Sequence, residues 1–351
     1  MKKKVTAQDI ANELGVSICT VNKALSGKPK VSEARRRQIQ EKAREMGFVV
    51  DGVAQIMARN PITIGVVISV SGENMYFDGM RKGMEAEFAR LEKYKITPAY
   101  YVVSDEQIAG DGERLLDWIN DKNVEAVCFC PSNLTANGVL LETIIRRGIP
   151  LFLSGGGIEP PESAITTVSV DALLSGRMVA DFFYCIHRQN VHAVMVTDSV
   201  NSITQRKKRE AFRQRLAAYG VEDPVIVEYA DDEAALERKL DELCGAKSRV
   251  NCLYVSTGNS LPVCRYLQEH NLSDRITLVG TDYYDALKPY IDTGVMKATL
   301  LQNQRQVGRR IVRGAYDYLI KTRTFGNEDW CAPKRLYIDP TFCFKSNFQN
   351  D

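Results

Sequence analysis

The sequence predicts a small all-α helix-turn-helix head joined to an α/β body of two Rossmann-like subdomains. Three observations carry this expectation. The first 48 residues hold three short helical patterns punctuated by Gly15, Gly27 and Gly47. From Ile62 onward, apolar β-rich runs alternate with amphipathic segments nearly to the end. The charge is also split: residues 1–60 hold 12 Lys/Arg against 6 Asp/Glu, and the rest holds 34 against 38. A basic head on a mildly acidic body suits a polyanion-binding module attached to a second module.

In the head, Thr6 and Asp9 form a carboxylate variant of the capping box. Ala7, Ile10, Ala11 and Leu14 then fall on one helical face, and Gly15 supplies the turn. Ser17 caps a second helix whose buried stripe is Val21 and Leu25, leaving Ile18, Cys19, Asn22 and Lys23 outward; Gly27 and Pro29 end it. Ser32 starts a third helix with Ile39, Ala43 and Met46 inward. After Phe48, Asp51 can cap a short helix over 52–59 with Val53, Ile56 and Met57 on one stripe. A helix this short is marginal unless a partner buries that stripe.

In the body, ITIGVVISV, VEAVCFCP, IPLFLS, VHAVMVT, VNCLYVST and ITLVGTD read as buried strands. The segments 79–93, 134–147, 202–219, 231–247 and 258–270 read as the helices between them. This many strands needs two parallel sheets, and open α/β sheets bind ligands at the carboxyl ends of their strands.

Several function classes find no support. No window of 18 apolar residues exists, so a membrane span is not expected, and MKKKVTAQDI lacks the apolar run of a secretory signal. The nine cysteines follow no metal spacing and read as free thiols in a reducing cytosol, with Cys128 and Cys130 on one strand face. There is no G-x-G-x-x-G, Walker loop or G-x-S-x-G elbow. GGG at 155–157 reads as a loop, and His187, His192 and His270 read as separate surface residues. No cofactor, metal or catalytic set is therefore expected, and the chain is not read as an enzyme. A secreted binding protein would need an export signal and would have no reason for residues 1–60.

The head, VTAQDIANELGVSICTVNKALSGKPKVSEARRRQIQEKAREMGF, resembles the headpiece of the lac/gal repressor family. The matches are V-T-x-x-D-I-A at 5–11, G-V-S at 15–17, T-V-x-x-A-L at 20–25 and V-S at 31–32. The body resembles that family's periplasmic-binding-protein-like effector domain (type I fold) over residues 61–345. The matching segments are ENMYFDGMRKGMEAE and ITLVGTDYYDALKPYIDTGVMKATLLQNQRQVGRRI.

The resemblance implies a cytoplasmic DNA-binding transcriptional regulator, by default a repressor. It would be a homodimer on a pseudo-palindromic double-stranded operator, controlled by a small sugar-like effector. Ile18, Cys19 and Lys23 would face bases. Of these, Lys23 can donate to guanine, while Ile18 suits a thymine methyl. Thr6, Ser17, Thr20 and Asn22 would contact the DNA as well, the last three through phosphates. Val53, Ile56 and Met57 would form a hinge helix in the minor groove, with Met57 as the wedge. Effector contacts would fall on Tyr76, Phe77, Asp78, Lys208, Asp282 and Gln302. A plainer reading makes Tyr76 and Phe77 core at a helix start and Asp282 the cap of a helix at Tyr283. The implied domains are 1–48, a hinge at 49–60 and the body at 61–345, followed by a tail at 346–351. The body would divide into 61–160 plus 293–323 and 161–292 plus 324–345.

Overall fold

The computed structural model describes residues 5–25, 30–48, 61–70, 75–104, 112–131, 138–155, 161–197, 202–229, 232–325 and 335–347. The head is three helices, α1 (Ala7–Leu14), α2 (Ile18–Leu25) and α3 (Glu33–Glu45). They close on Ile10, Ala11, Val21, Ala24, Leu25, Ile39 and Ala43, all buried, with Leu14 and Met46 packed alongside. The hinge residues Val53, Ile56 and Met57 lie outside the described residues.

The body holds two six-stranded sheets. The first runs in the order β11 (Arg335–Ile338), β5 (Ala164–Val170), β4 (Leu151–Ser154), β3 (Val124–Cys130), β1 (Ile62–Val70) and β2 (Ile96–Ser104). All its pairings are parallel. Helices α4 (Met75–Leu91) and α12 (Gln304–Phe325) cover one face, where Met80, Met84, Val307 and Ile311 meet Val66 and Cys128. Helices α5 (Gly112–Asp121) and α6 (Gly138–Arg146) cover the other, through Leu115 and Leu140.

The second sheet runs β12 (Thr341–Cys343), β10 (Met296–Leu301), β9 (Thr277–Thr281), β8 (Cys252–Val255), β6 (Ala193–Thr197) and β7 (Val225–Glu228). It is parallel except for the β10–β12 pair. Helices α7 (Ala172–His187) and α8 (Ile203–Ala218) pack on one face around Phe183, Phe212 and Tyr254. Helices α9 (Glu233–Cys244), α10 (Leu261–Glu269) and α11 (Lys288–Asp292) pack on the other.

All six expected strands are present, but sheet membership corrects the expected subdomain boundaries. Strand β5 (164–170) belongs to the first sheet although the expected division placed it in the second. Strand β10 (296–301) belongs to the second sheet although the division placed it in the first, and strand β11 (335–338) belongs to the first sheet although the division placed it in the second. Each sheet takes one edge strand, β11 or β12, from the C-terminal segment, and the chain crosses between Val170 and Ala172, at Gln302–Asn303, and again at Asp339–Pro340. Strand β2 was not among the expected runs: it is an edge strand that exposes Tyr100 and Val102, so it lacks the buried-strand pattern. The described cysteines are free, and Cys128 and Cys130 are core thiols. Among the described residues no helix is long and apolar enough to cross a membrane.

Candidate nucleic-acid and effector sites

The head's geometry follows from its caps. Thr6 N donates to Asp9 Oδ2 at 2.8 Å and Asp9 N to Thr6 Oγ1 at 3.3 Å, completing the capping box. Gly15 sits at φ 62 and returns its N–H to Ala11 and Asn12, which turns the chain into α2. Ser17 caps α2: its Oγ accepts from Thr20 N at 3.1 Å and lies 2.8 Å from Thr20 Oγ1. With Val21, Ala24 and Leu25 facing inward, Ser17, Ile18, Cys19 and Asn22 face solvent, while Thr20 and Lys23 are half-buried. Ile18 is 43% exposed, an apolar side chain presented at the amino end of a short helix. The structure thus puts Ile18 and Cys19 at the exposed amino end of α2 and the half-buried Lys23 in its last turn, with Thr6 exposed at the start of α1.

In the body, the structure gathers Lys208, Asp282 and Gln302 into one buried network. Lys208, on α8, is 1% exposed. Its ammonium donates to the Ser256 carbonyl at 2.9 Å and to Gln302 Oε1 at 3.3 Å. Burial pushes its pKa down to about 8, against the opposing pull of Asp282. Asp282 lies just past β9 with φ 61, a left-handed conformation that short polar residues tolerate and that recurs at ligand clamps. Its backbone is tied to β10, with its N–H on Leu300 O at 2.9 Å and its carbonyl accepting from Thr299 Oγ1 at 2.5 Å. Its carboxylate accepts from Gln302 Nε2 at 2.5 Å, Gln302 N at 3.1 Å and Gln304 Nε2 at 2.6 Å. Burial raises its pKa; the Gln302 hydrogen bonds and Lys208 act the other way.

The plainer reading of Asp282 does not hold, because Tyr283 starts no helix; the next turn begins at Asp285. Phe77 is a correction: it is 9% exposed and packs in the first sheet's core with Met80 and Met84, its neighbours at i+3 and i+7. Asp78 is exposed and 3.5 Å from Arg81 on its own helix. The Tyr76 side chain lies outside the described residues.

Three polar groups at this site were not among the expected residues. Gln205 accepts from Ser256 Oγ at 2.8 Å. Gln304 bonds Asp282, and the Tyr254 hydroxyl is fully buried beside Thr281. Gln205 and Gln304 each begin or nearly begin a helix that follows a strand, the one positional signal that marks them. The histidines read as separate are partly joined: Asn251 accepts from His192 N at 2.9 Å, and its amide lies 3.5 Å from His187 Nδ1. This contact is at the opposite ends of the strands from Asp282. Among the described residues no group of His, Cys, Asp and Glu could hold a metal ion.

Comparison with known proteins gives a consistent picture. The description "Bacterial regulatory proteins, lacI family" matches residues 6–51, and "Periplasmic binding protein domain" matches residues 64–323. Catabolite control protein A of Priestia megaterium is 25% identical over 334 residues, 88% of this chain and 96% of that protein. The HTH-type transcriptional regulator CelR of Thermobifida fusca is 22% identical over 235 residues, 66% of each chain. A putative LacI transcriptional regulator from Bacteroides fragilis shares the fold with a TM-score of 0.65 at 14% identity, covering 82% of this chain and 98% of that one. A carbohydrate transporter solute binding protein from Agrobacterium Radiobacter, in complex with D-arabinose, has a TM-score of 0.65 at 15% identity, covering 83% and 96%.

Proposed function

This chain belongs to the lacI family of bacterial regulatory proteins, with a periplasmic binding protein domain as its body, and from that premise we propose how its DNA binding is read out and controlled. The chain is a DNA-binding transcription regulator. As a two-fold dimer, it places α2 of each copy in the major groove of a half-site. Ile18, Cys19 and Lys23 face bases, and Thr6, Ser17, Thr20 and Asn22 hold the backbone. Segment 53–57 pairs across the dimer in the minor groove. The observation that carries the DNA reading is the solvent-facing end of α2, where an exposed isoleucine and cysteine sit on a fully buried seat. A second copy covers the edge strand β2, whose Tyr100 and Val102 are 37% and 61% exposed.

The body binds a neutral polyol at Lys208, Asp282 and Gln302. The buried ammonium and carboxylate cancel one another, so an anionic effector adds an unbalanced charge to a dry site. A carboxylate beside amides and carbonyls suits paired hydroxyls. The sugar carried by a solved structure of the same fold supports this chemistry.

The test is a titration of the full chain with a randomised duplex pool at ~50 and ~200 mM salt, where several phosphate contacts make affinity fall steeply. Removal of residues 1–60 is expected to abolish DNA binding and to leave stabilisation by a polyol intact. Salt-independent binding, or loss of both properties together, would refute a modular regulator.

A further inference from the structure

We propose that Gln304 is the positioning residue that couples effector occupancy in the second lobe to the first, because an effector hydroxyl must take its place on Asp282. This rests on the reading of Asp282 as an effector contact. An ionised carboxylate offers about four acceptor directions, two on each oxygen. Asp282 Oδ1 already accepts from Gln302 N at 3.1 Å and from Gln304 Nε2 at 2.6 Å, while Oδ2 accepts from Gln302 Nε2 at 2.5 Å. A vicinal diol that gives one hydroxyl to each oxygen finds room on Oδ2 and none on Oδ1. The Gln302 N–H is backbone, fixed at the end of β10, and cannot leave. The Gln304 amide is on a side chain and can.

Its departure is felt in the other lobe. Gln304 is the first residue of α12, which packs on α4 in the first lobe. The two helices meet at glycines: a Cβ on Gly83 would lie 2.1 Å from Arg305 O, and one on Gly308 would lie 2.1 Å from Met80 O. Gln304 itself rests on Gly79, where an added Cβ would come within 3.2 Å of Gln304 Cβ. One end of the side chain therefore sits on α4 while the other holds the strand end of the second lobe. Exchanging the amide for a ligand hydroxyl cuts that tie and leaves the rest of the α4–α12 contact in place.

The experiment uses the full chain and a duplex enriched from a randomised pool by the wild type at ~50 mM salt. Gln304→Met keeps the length of the side chain and deletes the donor, and Gln304→Asn keeps the amide but shortens its reach. Both cut the tie without ligand. Each is expected to shift affinity for that duplex by roughly 5-fold or more in the same direction, the lower end of an allosteric coupling, whatever the body's melting temperature loses with the single hydrogen bond. A merely structural Gln304 would lower the melting temperature and leave DNA affinity alone. If the wild type enriches a duplex and both folded variants bind it within about twofold of wild type, below any allosteric coupling, the inference is overturned. A wild type that enriches no duplex overturns the regulator reading and this inference with it.

Discussion

Lys208→Met should stabilise the body while removing effector binding. The magnitude follows from the ammonium's burial. Lys208 is 1% exposed, and folding lowers its pKa from 10.5 to about 8. At pH 7, holding that proton in the fold costs ~3 kcal/mol. Methionine fills the same space without charge. It forfeits the bonds to the Ser256 carbonyl and Gln302 Oε1, each worth about 1 kcal/mol. The Ser256 carbonyl keeps a contact with Gln205 Nε2 at 3.4 Å, and Asp282 keeps its three amide donors. The balance is a gain of ~1 kcal/mol, or about 2–4 °C in melting temperature for a unit of this size. Calorimetry at pH 7 reads it directly. A pH series supplies the sign. The folded pKa is depressed, so between about 8 and 10.5 the unfolded chain binds more protons and wild-type stability rises with pH. The methionine variant lacks that rise, so its advantage should shrink through the window and reverse above it, where the neutral amine keeps the two hydrogen bonds that methionine lacks. A variant that melts about 5 °C below wild type at pH 7, the opposite sign to the balance above, would show that the ammonium is a structural tie, and the argument would fail.

Other outcomes follow from the same geometry. Gly176→Ala places a methyl 2.2 Å from Lys208 O, so α8 must move off α7; overpacking against backbone should cost ~1–3 kcal/mol and weaken polyol binding, read by thermal shift with and without ligand. Lys23→Ala should relax sequence preference, while Thr20→Ala weakens binding to specific and random duplexes alike; equal effects of both changes on both duplexes would remove α2 from the groove. Thr6→Ala breaks the capping box and should cost the head about 1 kcal/mol, seen as earlier helix loss by circular dichroism in the first melting step.

The head was legible almost residue by residue because its signals are local. Thr6, Asp9, Gly15 and Ser17 each act within four positions of themselves, and the structure shows the expected hydrogen bonds at all four. The body's buried strands were legible for the same reason. Strand order was not, since nothing local in AITTVSV or MKATLL says which of two similar sheets will pair with it, and both were assigned to the wrong lobe. At the proposed effector site, Lys208, Asp282 and Gln302 emerged from resemblance and converge in one network. Phe77 did not, because an aromatic at a helix start reads the same whether it faces a cleft or the core. Gln205 and Gln304 carried no signal beyond position, as glutamine is common on any polar helix face.

What holds the site together was the least legible part, because it consists of absent methyl groups. The two helices that carry its side chains, α8 with Lys208 and α12 with Gln304, are each seated against a glycine of a neighbouring helix in their own lobe. Gly176 lets α7 approach the Lys208 carbonyl, and Gly79 lets α4 approach the Gln304 stem. Neither glycine is left-handed, so turn rules do not explain them. Close approach does: a Cβ at Gly176 pushes α8 outward, one at Gly79 displaces the Gln304 stem by a few tenths of an ångström, and hydrogen bonds of 2.6–2.9 Å to Asp282 and Ser256 tolerate little displacement. The polar network thus depends on apolar packing one layer behind it. Substitutions at Gly176 should therefore impair effector response as severely as substitutions of the contacts themselves, and those at Gly79 less so, although neither glycine can touch a ligand with a side chain.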